Sequence, residues 1–469
     1  MLDCFTGKKN IKIGVAPVRR AAWTHKPFNQ PEAAKYKELI EKAVRGYDAG
    51  IVNLDFLNGE GILFNVHDAE SVAKKFIEEG VDGIFIPHCN FGCEEAVARL
   101  CKLVGKPVLL WGPKDYVNPE DLYRYRDSQC GLFATSKVLT MYDVPFTYIE
   151  NCDIDDPIFD EGYRRFLAVV STVKAFRSMR IGQISTRPGP FLSVKCNEME
   201  LLEKFGIEIV PITLADLKRM FDATIKNRNA EVMEKVSEMK GIFKLNGVED
   251  GQLVQIAALK LTVEAWALDE RLSAVATQCW GPMIDTIGIA PCFALGDVCD
   301  DGLPFICEAD VHGAVTAVLA MAASRYTTPI FLADITIRHP ENRNAELLWH
   351  CGVFAKSLAK DRNDLRISAH YNRFCPAVGE WELKGGDVSV VRFDGAKGSY
   401  SLFLGNAKGT QGPKTVGAYL WIEVDDWSKW EKKLIYGPYI HHCVGIHADV
   451  VPVLQEACRY IPNLSPDLV

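Results

Sequence analysis

Between Lys12 and Trp111 four short apolar runs are separated by three stretches of helical periodicity, and few folds accept that order. The runs are Lys12-Ile13-Gly14-Val15-Ala16-Pro17, Gly50-Ile51-Val52-Asn53-Leu54, Gly83-Ile84-Phe85-Ile86-Pro87 and Pro107-Val108-Leu109-Leu110-Trp111. The stretches between them, Pro31 to Gly46, Ala69 to Gly80 and Glu94 to Gly105, have apolar residues at helical spacing. Successive parallel strands need a crossover, usually a helix, and each crossover covers one face of the sheet. The pattern therefore predicts a parallel sheet with helices on both sides.

A second series of the same type begins at Met179-Arg180-Ile181-Gly182-Gln183-Ile184. It continues with helical patterns over Glu198 to Phe205, Thr213 to Ile225 and Glu249 to Asp269, and with strands over Gly206 to Ile212 and Ser273 to Thr277. The last strand delivers Gln278-Cys279-Trp280. From about Glu346 the runs become short and are separated by turns such as Gly-Gly-Asp and Gly-Thr-Gln-Gly, the signature of an antiparallel sheet or small barrel. The expected fold is α/β: two doubly wound, Rossmann-like parallel-sheet domains (1–172 and 173–345), then a β-rich antiparallel, barrel-like domain (346–469).

With 469 residues, 48% of them hydrophobic and 24% charged, the chain has enough apolar surface for several cores. No uncharged apolar run reaches about 18 residues, and the N-terminus MLDCFTGKKNIKIGV lacks a signal-peptide pattern, so a cytoplasmic location is expected. Fifteen cysteines without a repeated CxxC spacing fit reduced, buried thiols. A net charge of −8 argues against nucleic acid or an anionic membrane as partner and favours a small molecule.

The chemistry gathers in Cys307 to Asp334. Glu308 and Asp310 stand where a helix begins, Ala314 to Ala323 is a good helix former, and Thr327-Thr328-Pro329 ends it. Ile330-Phe331-Leu332-Ala333 then reads as a buried strand ending at Asp334. Ligands in open α/β sheets bind outside the carboxyl ends of strands, so two acids would face one crevice. A helix cap at Glu308 and a loop residue at Asp334 fit the same spacing. Glu308, Asp334 and one of His441 or His442 would suit Mn²⁺, Mg²⁺, Fe²⁺ or Co²⁺, cations that chelate neighbouring sugar oxygens. His312, four residues after Glu308, is a rival ligand on the same helical face. His88, Asn90, Trp111 and Arg19-Arg20 follow strands of the first sheet and are types that sugar sites use. The sequence has no GxGxxG after a strand, no Walker A loop and no GxSxG elbow.

The segments CEADVHGAV, PIFLADI, ELLWHCG and YIHHCVGIHADV resemble, in that order, core motifs of the L-fucose and L-arabinose isomerase family. IPHCNFG and TQCWGPM resemble its short bacterial fucose-isomerase-like members. By this resemblance Glu308 and Asp334 would be metal ligands and the acid/base pair, and His442 the third protein ligand. His350 would be a ligand or a substrate contact. The resemblance implies a Mn²⁺-dependent aldose–ketose isomerase working through an enediol. It also implies a trimer or hexamer in which a neighbour's first domain, with Asn90 and Trp111, completes the sugar site. Trp280, Gln278 and Arg187 would be further substrate contacts. The chain is shorter than a typical fucose isomerase, particularly at its end, and carries His312 where those enzymes have asparagine, so the sugar is left open. Arg19, Arg20 and Arg187 suit a hexose with an anionic C6 substituent such as sulfoquinovose, giving 6-deoxy-6-sulfofructose. A sugar-binding or sensing protein without catalysis is the reading outside enzymes.

Overall fold

Each of the four N-terminal apolar runs forms a parallel strand in the computed structural model, which describes residues 10–21, 30–371 and 374–469. Met1 to Lys9, part of the N-terminal stretch considered above, lies outside the described residues. The strands are β1 (Lys12–Val15), β2 (Gly50–Val52), β3 (Gly83–Pro87), β4 (Val108–Trp111) and the short β5 (Thr147–Tyr148). They pair in the order β2-β1-β3-β4-β5. Every residue of β3 and β4 is buried, as two-sided helix cover requires. These strands belong to one compact unit, which ends at Lys174.

A second compact unit runs from Ala175 to Val469. Its first sheet is parallel, built from β6 (Arg180–Ile184), β7 (Glu208–Ile212), β9 (Ala274–Thr277) and β10 (Phe305–Ile306), in the order β10-β9-β6-β7. Its other sheet has ten strands: β8 (Lys244–Asn246), β11 (Ile330–Arg338), β12 (Ala345–His350), β13 (Arg366–Ala369), β14 (Pro376–Glu382), β15 (Gly386–Ala396), β16 (Ser399–Thr410), β17 (Ala418–Glu423), β18 (His442–Ile446) and β19 (Leu464–Leu468). The order is β19-β16-β15-β18-β11-β12-β17-β14-β13-β8, and β16 also pairs with β17. Most neighbours are antiparallel, while β8–β13, β14–β17 and β16–β19 are parallel, so the sheet is mixed.

The helix Val311–Ala323 packs against strands of both sheets, including β9, β15 and β18. All thirteen of its residues are buried, which explains a sequence apolar on every face. β11 corrects the sequence reading of Asp334. That residue is not the last of a parallel strand: Ile335-Thr336-Ile337 is β-branched and extends the strand to Arg338. Asp334 sits in mid-strand, with β12 and β18 antiparallel on either side. Its position in the site comes from cross-strand register and not from a strand's carboxyl end.

Among the described residues no helix is long and apolar enough to cross a membrane, and their fourteen cysteines are free thiols.

Candidate functional site

The register of β11 against β18 sets Asp334 directly opposite His442, so the two side chains leave the sheet on one face. His442 is fully buried, and its Nε2 lies 3.4 Å from Asp334 Oδ1. The same Nε2 lies 3.0 Å from Glu308 Oε2. Neither contact is aligned as a hydrogen bond: His442 Nε2 and Asp334 Oδ1 are both buried without a partner.

Glu308 reaches this point through an unusual backbone. It lies in a tight turn, Cys307–Ala309, with φ 62° and ψ 19°, and Ala309 follows at φ 53°. Two successive residues with side chains in the left-handed region cost on the order of 1–3 kcal/mol each. Glu308 is therefore not the helix cap. Asp310 is, its Oδ1 accepting from Gly313 N at 2.9 Å. The turn frees the Glu308 carboxylate to face β18, and Trp280 Nε1 donates to its Oε1 at 2.9 Å, which leaves Oε2 toward His442.

Behind the imidazole lies a network that local sequence spacing does not reveal. His442 Nδ1 is 2.9 Å from Asp310 Oδ2. Asp310 also pairs with both terminal nitrogens of Arg392, whose Nε donates to Asp394 Oδ2 at 2.9 Å. His312 Nδ1 is 2.9 Å from Asp394 Oδ1. His312 Nδ1 is thereby engaged by Asp394, while its Nε2 is buried without a partner. Asp310 accepts from a guanidinium on one side, so the His442 ring when neutral presents an N–H at Nδ1 and a lone pair at Nε2.

The electrostatics agree with an anionic pocket built around one imidazole. Burial would lower the His442 pKa, but the Asp310 and Glu308 carboxylates outweigh it and raise it to about 9. Burial would raise that of Glu308, but His442, the charge of His350 and the Trp280 N–H hold it below its ordinary value. Burial also opposes ionisation of Asp310, yet Arg392 and His442 keep its carboxyl far below the usual range.

Around this centre the rings are close. Phe191 lies 5.5 Å from Trp280, 5.6 Å from His441 and 5.8 Å from His442, centroid to centroid. Sequence reasoning missed it, although its Pro-Gly-Pro approach marks a turn that presents an aromatic. His441 is 44% exposed, with Nε2 3.8 Å from Asp334 Oδ1. His350 Nε2 is 4.0 Å from the same oxygen. Gln278 accepts from Ser185 Oγ at 2.9 Å, and Arg187 donates to Pro188 O and Gly189 O, folding over its own loop.

Two of the expected sugar contacts lie in the other unit. Asn90 is buried, its Oδ1 accepting from Arg20 N and Gly92 N, while its Nδ2 has no partner. Trp111 is a core residue, fully buried, edge-on to Phe159 at 4.8 Å and donating to Cys152 Sγ. That corrects its assignment as a sugar contact, because no face of its ring is open. Arg19 and Arg20 are held by Glu60 and Glu94.

Whether Glu308, Asp334 and His442 fit a divalent cation is a question of donors and spacing. Two carboxylates and a neutral imidazole are an acceptable set for Mn²⁺ or Mg²⁺. Donors about 2.1 Å from one ion and at right angles to each other are roughly 3 Å apart. The two separations from His442 Nε2 are of that size, and two of the three donor atoms are buried without partners. The donors around His442 Nε2 are of the right kind and spacing, and ligand atoms of Asp334, His441 and His442 also lie within 4.8 Å of one another.

Parallel α/β sheets joined to a large mixed sheet, with carboxylates and imidazoles converging from separate elements, define a protein class whose site is made by long-range register. Residues 14–177 match the family described as "Fucose/sulfoquinovose isomerase, N-terminal domain". Over 458 residues the chain is 25% identical to sulfoquinovose isomerases of Priestia aryabhattai and of Priestia megaterium, covering 97% of this chain and 98% of each relative. It is 25% identical over 382 residues to the sulfoquinovose isomerase of Alkalicoccus urumqiensis, covering 81% of this chain and 84% of that one. Over these spans the chain is similar to fucose isomerase-like proteins.

Proposed function

We propose that this protein is a divalent-cation-dependent aldose–ketose isomerase whose substrate is a hexose with an anionic group on C6, sulfoquinovose foremost. The observation that carries the reading is His442 Nε2, buried without a hydrogen-bond partner between Glu308 Oε2 and Asp334 Oδ1. Support for the sugar comes from the names of the relatives that match along the whole chain.

Glu308, Asp334 and His442 would hold Mn²⁺, or Mg²⁺, Co²⁺ or Fe²⁺, whose chemistry when bound is Lewis-acid polarisation of neighbouring sugar oxygens. One carboxylate removes the proton from the carbon beside the carbonyl, and the other manages the hydroxyl proton of the resulting enediol. The lowered pKa of Glu308 keeps it ionised at neutral pH. Trp280 fixes the direction of that carboxylate, and Phe191 packs against the rings of Trp280, His441 and His442 beside it. The assembly into trimers or hexamers is carried as part of the same proposal, and sedimentation of the purified protein checks it.

The test is a screen of aldoses with and without a 6-sulfo group, in the presence of Mn²⁺. Turnover of sulfoquinovose to 6-deoxy-6-sulfofructose, with solvent deuterium entering the product in D₂O, is the expected result. Absence of deuterium in the product removes the proton-transfer step, and turnover of fucose or arabinose alone removes the anionic substrate. Glu308→Gln and Asp334→Asn each reduce kcat by at least about 10³-fold. A protein that binds sugar and turns over none would be the non-catalytic alternative.

A further inference from the structure

Two imidazoles face the site, and their Nδ1 partners give them opposite chemistry. At His442 the partner of Nδ1 is a carboxylate, Asp310 Oδ2, which can only accept. At His350 the partner is a donor: the backbone N–H of Cys351 points at Nδ1, with N···N 2.9 Å. The Cys351 sulfur lies 3.3 Å from the same nitrogen.

A neutral imidazole has one N–H and one lone pair. At His350 the lone pair is engaged at Nδ1, so the proton resides on Nε2. Burial opposes a second proton on the ring and Cys351, Asp334 and Glu308 favour one; it would sit on Nδ1 and leave the Nε2–H in place. At Nε2 there is then no lone pair for a cation.

The surroundings of Nε2 agree. The ring is 2% exposed, and Nε2 has no hydrogen-bond partner. Asp334 Oδ1 is 4.0 Å away, too far to accept its hydrogen bond directly. The ring centroid is 6.2 Å from that of His442, so the N–H opens on the same space as the three candidate ligands. An unpaired buried donor costs free energy, and an incoming acceptor recovers it.

On the reading of the site as an isomerase, we propose that His350 is not a ligand of the cation but a hydrogen-bond donor to the substrate, its Nε2–H meeting an oxygen of the reacting carbons. A sugar hydroxyl in the gap between Nε2 and Asp334 Oδ1 accepts from the first and donates to the second. As the enediol forms and negative charge grows on that oxygen, the bond to Nε2–H strengthens, a contribution to the transition state over the ground state. No covalent step is required of His350.

The test uses the full-length protein and the pair His350→Gln and His350→Ala, with His442→Ala for comparison. Mn²⁺ affinity is read from the free-ion signal in electron paramagnetic resonance, and kcat and KM from turnover of sulfoquinovose. Both His350 variants keep Mn²⁺ affinity within about threefold of the wild type, while His442→Ala lowers it by at least about 100-fold. Turnover by His350→Ala falls by about 10²–10³-fold, chiefly in kcat, the loss typical of one donor to a developing oxyanion. Gln, whose amide places an N–H near the former Nε2, restores part of it. Loss of Mn²⁺ in the His350 variants to the extent seen with His442→Ala would overturn the proposal, and so would unchanged kcat in His350→Ala. Failure of the wild type to bind Mn²⁺, or to isomerise any aldose, would instead remove the functional reading beneath it. If the Ala variant does not fold, metal affinity in the Gln variant alone still decides ligand against donor.

Discussion

Asp310 Oδ2 stands 2.9 Å from His442 Nδ1, and this carboxylate, itself clamped by Arg392, decides which nitrogen of the imidazole is free for the site. An amide at position 310 keeps the shape but loses the charge that holds Nδ1–H, and it leaves Arg392 buried beside a neutral group. Asp310→Asn therefore lowers affinity for Mn²⁺ by about 10–100-fold, the usual effect of removing a carboxylate behind a metal-binding histidine. It also costs about 3–5 kcal/mol of stability, as breaking a buried charge pair does. Metal titration and urea unfolding of the same preparation separate the two effects. Wild-type affinity in the variant would show that His442 does not need Asp310.

The same carboxylates make cation binding depend on pH. In the metal-free protein His442 has its pKa raised from 6.5 to about 9, so at neutral pH the ring is protonated. The raised value contributes stability to the metal-free fold that is fully present below the unfolded pKa of 6.5 and is lost as pH rises through about 9. A cation needs the neutral ring and must displace that proton. Apparent Mn²⁺ affinity is expected to rise by up to about tenfold per pH unit between pH 6.5 and 9 and then to level. Calorimetry in two buffers of different ionisation enthalpy would report about one proton released per ion at pH 7. Binding that leaves no buffer dependence contradicts a raised His442.

How much of this could be seen in the sequence follows from the range of the interactions involved. Gly83 to Pro87 and Arg180 to Ile184 are strands because their own residues demand two-sided burial, and local pattern locates them. Glu308, Asp334 and His442 were recognisable as chemistry-bearing residues, and the structure brings them together. Their mode of assembly was not legible. Nothing local signals the left-handed turn at Glu308, since an acidic residue before a helix reads as a cap. Arg392 and Asp394 lie 82 residues from Asp310 and His312, with no spacing to betray the pairing. A strand's last residue reads as facing a crevice, whereas the Trp111 ring turns into the core.

Gly313 ties helix geometry to the site. A glycine in a helix is ordinarily improved by alanine, by about 1 kcal/mol. Here a Cβ would lie 2.6 Å from Asp310 Oδ2 and 3.3 Å from Ile306 Cγ2. The carboxylate cannot retreat, because Arg392 and His442 hold it from the other side. Gly313→Ala should therefore destabilise by about 1–3 kcal/mol, the cost of overpacking, and should weaken Mn²⁺ binding. Thermal unfolding with and without Mn²⁺ measures both. A higher melting temperature in the variant would mean that Asp310 moves freely and does not position His442.

Away from the site, Glu264 sets a pH limit on stability. It is buried, its Oε1 has no hydrogen-bond partner, and Lys260 at 3.7 Å is already held by Asp297 and Asp301. Burial pushes its pKa up from 4.5 to about 7, against the attraction of Lys260 and with the repulsion of Asp301 and Asp297. Because the folded value lies above the unfolded one, its contribution to stability is complete below pH 4.5 and disappears as pH rises through about 7. Glu264→Gln removes this titration. The variant should unfold at about the wild-type urea concentration near pH 5 and be more stable by on the order of 1–3 kcal/mol at pH 8. Urea unfolding at the two pH values is the measurement. Equal destabilisation at both would mean that the ionised carboxylate is a net benefit to the Lys260 cluster, and the predicted loss of stability above neutral pH would have to come from elsewhere.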